Sequence, residues 1–252
     1  MSANPENRIP DARKDALIEA AQRRYSCRRM TAALTGEDQA ALGYLAGKCA
    51  LTGVRIGLLP VDDSLFMGLP TVGKITGCRL AAVLSAKIAQ PHCRLLAGFS
   101  GEYFTLEAET LGIRSCWLTG TYHRKQVQAA VPSDELLIGI IALGRAEAPA
   151  ALQRRRKPLA KICEGDVTVW PEEFRRAAEL VQIAPSAINL QPWRMSAARE
   201  AFVLDGSGRS PIDVGIAMCH AELALRRPHV WRLMDDRPGE PMTRAEFVRI
   251  RA

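Results

Sequence analysis

Apolar residues recur at helical spacing in residues 11–24 (DARKDALIEAAQRR), where Leu17, Ile18 and Ala21 share a face and Asp11 is a natural N-cap. A second helix is predicted over 36–50, because TGEDQAALGYLAGKCA opens with Thr35 and carries its acidic residues in the first turn, where the helix dipole favours them. Two unbroken apolar runs bounded by turn residues, RLAAVLSA (79–86) and LLIGIIALG (136–144), read as buried strands. Between them, GEYFTLEAETLG (101–112) reads as a helix that Gly112 closes in the left-handed conformation. SCWLTG (115–120) reads as a strand, and YHRKQVQAAV as a short helix stopped before Pro132. Later, Pro171 starts the helix PEEFRRAAELVQIA, FVLDG (202–206) is a strand, and IDVGIAMCHAELALRR (212–227) is an almost wholly apolar helix. Residues 1–12 read as a disordered tail, and the last 25 residues as peripheral. Helix and strand mix without strict alternation, so the expected class is α+β.

Composition narrows the function classes. The 252 residues are 48% hydrophobic, which suits an ordinary packed core, and no run approaches the roughly 18 apolar residues of a membrane span. The N-terminal MSANPENRIPDARKD has no apolar core of a secretion signal, so the expected location is the cytoplasm, away from any membrane. Seven scattered cysteines without a Cys-x-x-Cys pair signal neither a disulfide framework nor zinc, and read as idle thiols. The net charge of +7 is concentrated in RRYSCRR (23–29) and RRRK (154–157), which favours an anionic ligand. Nucleic acid is disfavoured, since aromatics are only 6% of the chain and are not interleaved with the basic residues as a stacking platform requires.

Several motifs fail on inspection. GLPTVGKIT has the G-x-x-x-x-G-K spacing of a phosphate loop at Gly68, Gly73 and Lys74, but Ile75 stands where a metal-binding hydroxyl is needed. No G-x-G-x-x-G follows a strand, no G-x-S-x-G elbow occurs, and the four histidines lack ligand spacing, so a metal site is not expected and His220 reads as a core residue. Two clusters remain. Arg24, Ser26 and Arg28 at a helix terminus can fork onto phosphate oxygens and add a hydroxyl hydrogen bond. APSAINLQPW (184–193) gathers short polar groups and two prolines at the end of an amphipathic run.

Together these segments resemble the nitroreductase superfamily of FMN flavoproteins. The opening signature R-x-S-x-R, with a hydrophobic residue two further on, is met by Arg24, Tyr25, Ser26, Cys27, Arg28 and Met30, and A-P-S-x-x-N-x-Q-P-W is met at every fixed position from Ala184 to Trp193. LEAETLGIRSCWLTG, ELLIGIIALGRAE and RRRKPLAKI resemble further family segments. In ordinary members the two signatures are about one helix apart, whereas here about 160 residues intervene. The resemblance therefore implies two tandem copies: a first repeat over 13–165, a second, shorter one over 166–252, and an intramolecular pseudo-dimer with a nitroreductase-like FMN-binding fold.

The resemblance also implies roles. Arg24, Tyr25, Ser26 and Arg28 would bind the FMN phosphate and ribityl chain, with Arg154 and Arg156 as a second basic pair. Pro185, Ser186, Asn189 and Gln191 would serve the ribityl and the isoalloxazine edge, Thr119 and Gly120 the flavin N5 edge, and Lys74 the pyrimidine end. The implied activity takes hydride from NADH or NADPH to a small-molecule electron acceptor such as a nitroaromatic or a quinone, in a monomer with no catalytic side chain. The alternative is a flavin-binding protein without robust turnover.

Overall fold

The computed structural model describes residues 9–68, 73–147, 149, 155–198, 201–207, 211–225, 229–234 and 242–249. In chain order its first elements are α1 (Asp11–Arg23), α2 (Gly36–Cys49), β1 (Val54–Pro60), β2 (Leu80–Lys87), α3 (Cys93–Thr110), β3 (Arg114–Leu118), α4 (Arg124–Gln128) and β4 (Glu135–Gly144). They are followed by α5 (Leu159–Ile162), α6 (Glu172–Ile183), β5 (Trp193–Ala198), β6 (Ala201–Ser207), α7 (Pro211–Ala224), β7 (His229–Met234) and β8 (Met242–Arg249). None of the described helices is long and apolar enough to cross a membrane. The chain forms two compact units, Arg23–Gln153 and Met1–Gln22 with Arg154–Ala252.

In the unit Arg23–Gln153 the strands form an antiparallel sheet of order β1-β2-β4-β3. The expected buried strands are there: β2 is buried except at Lys87, and β4 is buried along almost its whole length. Thr35 caps α2 as its sequence predicts, in a reciprocal capping box with Asp38. Gly112, at φ +74, follows α3 in the left-handed conformation that the sequence leads one to expect. The start of that helix differs, because α3 begins at Cys93 rather than near Gly101. Its first nine residues include two glycines and a serine, and tertiary burial of Leu95, Leu96 and Phe99 outweighs their weak helix preference. Glu102, on the same helix and fully buried, accepts from the Trp117 indole at 2.8 Å and pairs with Arg24 Nε at 3.6 Å.

The other unit repeats this plan. Its sheet is antiparallel with order β5-β6-β8-β7, and each sheet is preceded by a helix and interrupted after its second strand by another. Residues 229–249, expected to be peripheral, are a correction: β7 and β8 are half of this sheet, and Trp231, Leu233, Ala245 and Phe247 are buried in it. The four residues alternate in the two-residue period of a half-buried strand, a weak signal beside the charged residues between them. Of the expected tail 1–12, residues 1–8 lie outside the described residues, while Ile9 is buried with its N–H donating to Glu222 at 2.9 Å, and α1 starts at Asp11. Lys14, buried on α1, donates to the Leu225 carbonyl at 2.6 Å. By its contacts α1 therefore belongs with residues 154–252, not with the rest of the expected first repeat. His220 is fully buried with Nδ1 3.1 Å from the Leu180 carbonyl, as a core histidine should be.

The cysteines are free thiols and all but Cys93 are buried; burial pushes Cys78 and Cys163 up to about 11, so neither is a thiolate at neutral pH. Arg145 forks onto Asp38 at 3.0 and 2.6 Å, and these hydrogen bonds, with that from the Thr35 backbone, hold the Asp38 carboxyl down at about 2, from an ordinary 3.8. A carboxyl lowered on folding stabilises the protein above its unfolded value and loses that contribution as the pH falls toward its folded value. Asp38→Asn is therefore expected to flatten the acid loss of stability between pH 3.8 and about 2, as read by denaturant titrations at a series of pH values.

Candidate functional site

In the unit Arg23–Gln153 the arginine signature leaves α1 and runs along the sheet edge. Cys27 N–H donates to the Ser115 carbonyl of β3 at 2.9 Å, after which the chain crosses to residue 76: Met30 N–H donates to the Thr76 carbonyl and Thr76 N–H to the Arg28 carbonyl, both at 2.9 Å. The Arg145 carbonyl then takes the N–H groups of Thr31 and Ala32 at 2.9 and 3.2 Å. Cys27 and Met30 point into one apolar cluster with Leu65, Ile75, Leu118 and Tyr122. Cys27, Ile75 and Leu118 each adjoin an expected site residue, so burying them turns Ser26, Arg28, Lys74 and Thr119 outward, and Gly120 follows Thr119. Ser26 and Arg28 are half-buried, and the other three exposed.

Two glycines make this crossing possible. A Cβ on Gly77, which sits at φ +73, would lie 2.1 Å from the Met30 carbonyl oxygen, and one on Gly144 would lie 2.2 Å from Met30 Cγ. Gly77 N–H is also held by the Asp63 carboxylate at 2.9 and 3.1 Å. At Gly120, by contrast, a Cβ would meet nothing within 4 Å, so the backbone there borders open space.

Arg24 and Tyr25 are placed differently from their neighbours. Arg24 is only 3% exposed and paired with Glu102, so it braces the signature from inside. The Tyr25 hydroxyl donates to the Glu147 carbonyl at 3.0 Å while the Arg114 guanidinium lies 5.7 Å from its ring centre; burial, chiefly, pushes it up to about 12, and it stays a neutral phenol. Lys74 lies two residues before Thr76, the partner of Arg28 and Met30, at the end of the phosphate-loop-like stretch whose residues 69–72 lie outside the described ones.

The second signature lies in the other unit. Pro185 is buried, and the segment turns sharply: Ile188, Asn189 and Gln191 have φ of 43, 59 and 47°. Asparagine tolerates this region, whereas a β-branched residue there is strained by about 1–3 kcal/mol. Hydrogen bonds fix the turn from both sides. Ala187 N–H donates to Asp213 at 3.0 Å, Gln191 N–H to Ser186 Oγ at 2.9 Å, and Asn189 and Leu190 N–H return to Ser186 and Ala187 carbonyls at 3.0 Å. Trp193 closes the segment with its indole N–H buried and without a hydrogen-bond partner among the described residues.

Residues 155–157 are stitched to this turn. Arg156 donates to Asn189 Oδ1 and, at 3.0 Å, to the Ile183 carbonyl; Asn189 Nδ2 donates to the Arg155 carbonyl at 2.7 Å. Lys157 N–H donates to Gln191 Oε1 at 2.9 Å, and Lys157 Nζ to the Leu190 and Gln191 carbonyls at 2.7 and 3.2 Å. Arg154 lies outside the described residues. Lys157 and Asp213 are contributors that the sequence reading missed; the adjacent basic run could have suggested the first, while the second is an aspartate among apolar neighbours with no local signal.

Residues 77–225, more than half of the chain, match the family described as "Putative TM nitroreductase". The chain belongs to the nitroreductase superfamily. A solved structure described as a "putative nitroreductase", from Thermotoga maritima, superposes with a TM-score of 0.65 at 22% identity, covering 92% of this chain and 93% of that one. A nitroreductase with bound FMN from Bacteroides fragilis is 18% identical with a TM-score of 0.44, over 56% of this chain and 94% of that one. An FMN-dependent nitroreductase from Clostridium difficile is 18% identical with a TM-score of 0.46, over 54% and 91%. The comparison with curated proteins gives no match. The family match and the Thermotoga superposition bear out the expected mixed helix-and-sheet nitroreductase fold.

Ile188 is 71% exposed, so replacing it removes strain without giving up burial. Ile188→Asn is expected to raise stability by about 1 kcal/mol, seen as a higher midpoint in denaturant unfolding.

Proposed function

We propose that the protein is an FMN-dependent oxidoreductase of nitroreductase type, which passes hydride from NADH or NADPH to a nitroaromatic, a quinone or a similar small acceptor. The observation that carries this reading is the apolar cluster around Cys27 and Met30, which leaves a hydroxyl, a guanidinium, an ammonium and a bare backbone facing outward on neighbouring segments. That donor set suits a phosphate and a flat heterocycle better than it suits a metal or a polyanion.

Bound FMN would supply the redox chemistry. The chain's own residues would hold and orient it. Ser26 and Arg28 bind the phosphate and ribityl, each charge-assisted hydrogen bond contributing about 1.5–3 kcal/mol. Arg24 keeps them in register through its buried contact with Glu102, and Tyr25 fixes the intervening backbone. Thr119 and Gly120 border the N5 edge, where the open space at Gly120 leaves room for a ring, and Lys74 serves the pyrimidine end. Within the unit that holds residues 154–252, the residues assigned to the flavin are Arg156, with Arg154, and the turn that carries Pro185, Ser186, Asn189 and Gln191. No side chain is assigned as acid or base, since water can deliver the proton.

We further propose that the chain is a fused pair of nitroreductase-like repeats, working as a monomer with one flavin. The shared strand order of the two sheets, each first, second, fourth, third in its own sequence, supports a tandem origin. A cytoplasmic setting, where reduced nicotinamides are supplied, suits the activity.

Purified protein is expected to be yellow with an FMN spectrum, bleached anaerobically by NADH or NADPH and restored by a nitroaromatic or quinone. Arg28→Ala is expected to weaken FMN binding by about tenfold or more with little change in melting temperature, because only backbone atoms of Arg28 hold the fold locally. A colourless protein that does not take up added FMN would overturn the proposal.

A further inference from the structure

The two amides of the second signature do not behave like groups kept for a ligand. Asn189 uses its oxygen for Arg156 and its NH2 for the Arg155 carbonyl. Gln191, only 3% exposed, uses its oxygen for Lys157 N–H and turns its NH2 toward Asn189, 3.3 Å from the carbonyl and 3.4 Å from Oδ1. An amide tip has two N–H donors and an oxygen with two lone pairs, and most of those on this pair are taken up within the turn and the basic segment.

We infer that Asn189 and Gln191 are positioning residues, which hold Arg156 and the backbone of residues 155–157 as the phosphate-facing edge of the site. The inference rests on the flavin reading above and refines it: these amides reach the cofactor through the basic segment rather than through the isoalloxazine. The geometry of Arg156 explains why two neutral anchors are useful. Its fork is held by Asn189 on one side and by the carbonyl of Ile183, the last residue of α6, on the other, which fixes the guanidinium plane before any anion arrives. A neutral acceptor orients a cation without cancelling its charge, and a preset guanidinium forfeits less rotamer freedom on binding. Lys157 is treated in the same way, its ammonium resting on two backbone carbonyls. The left-handed backbone at Asn189 and Gln191 is what brings both amides to the same side of the turn.

FMN and riboflavin differ only in the terminal phosphate, so the pair separates a role through the cations from a role at the ring. The variant of choice is Asn189→Gly, which removes the amide and accepts the φ of 59°. Affinities for both flavins are measured by fluorescence quenching for the full chain, for this variant, for Arg156→Ala and for the double variant. Asn189→Gly is expected to weaken FMN binding about tenfold, to leave riboflavin within about twofold, and to add almost nothing once Arg156 is Ala. An equal loss for both flavins, or losses that multiply in the double variant, would overturn the positioning role and put the amide on the flavin itself. Wild-type protein that binds neither flavin would overturn the underlying flavin reading. The positioning role is tested without any flavin by hydrogen exchange at Lys157 N–H: Gln191→Ala is expected to speed it about tenfold or more, and unchanged exchange would overturn it.

Discussion

The burial of Met30 against two glycines is the contact on which the arginine signature depends. Met30 crosses from the edge of β3 to residue 76 with its carbonyl over Gly77 and its side chain over Gly144. Neither position has space for a methyl group, so the backbone path of the arginine signature is set by contact distance rather than by the arginines themselves. Once Cys27 is buried, the alternation of an extended chain turns its two neighbours, Ser26 and Arg28, the other way. Ile75, Leu118 and Tyr122 enter the same apolar cluster and orient Lys74, Thr119 and Gly120 by the same logic. Chemistry on the outside is thus organised by packing on the inside.

The second signature, in the other unit, is held by polar contacts instead. Its turn holds three non-glycine residues in the left-handed region, and hydrogen bonds to Ser186, Asp213 and the basic segment compensate. Strain of this kind persists where surroundings over-determine the backbone, and functional segments are common places for it. The two signatures therefore respond to different conditions. The apolar cluster weakens with denaturant and cold, whereas the exposed links between Arg156, Lys157 and the turn are the ones that salt and charge-changing substitutions address.

Much of this was legible in the sequence because the strongest signals are local. Thr35 announced the start of α2, Gly112 the end of α3, and the runs at 79–86 and 136–144 the two central strands of the first sheet. The signatures themselves were readable because each is a contiguous string of residues, 24–30 and 184–193. What escaped was decided at long range. β7 and β8 alternate apolar and charged residues too weakly to be told from a surface tail, yet pairing with β6 buries Phe247 completely. Nothing near Arg24 reveals that Glu102 will hold it, nor does anything near Asn189 reveal that its amide will be taken by residues more than thirty positions away.

The attachment of α1 has a consequence for how the chain comes into being. Lys14 and Ile9 meet their partners, Leu225 and Glu222, across more than two hundred residues. On the ribosome the unit Arg23–Gln153 can collapse as soon as its last strand has emerged, since its contacts are internal. The helix α1, which precedes that unit in the chain, must then wait, with Leu17, Ala20 and Ala21 uncovered, until α7 is complete. A helix that precedes the unit Arg23–Gln153 in the chain is thus buried only after that unit has formed, and during the interval its apolar face stays open to solvent.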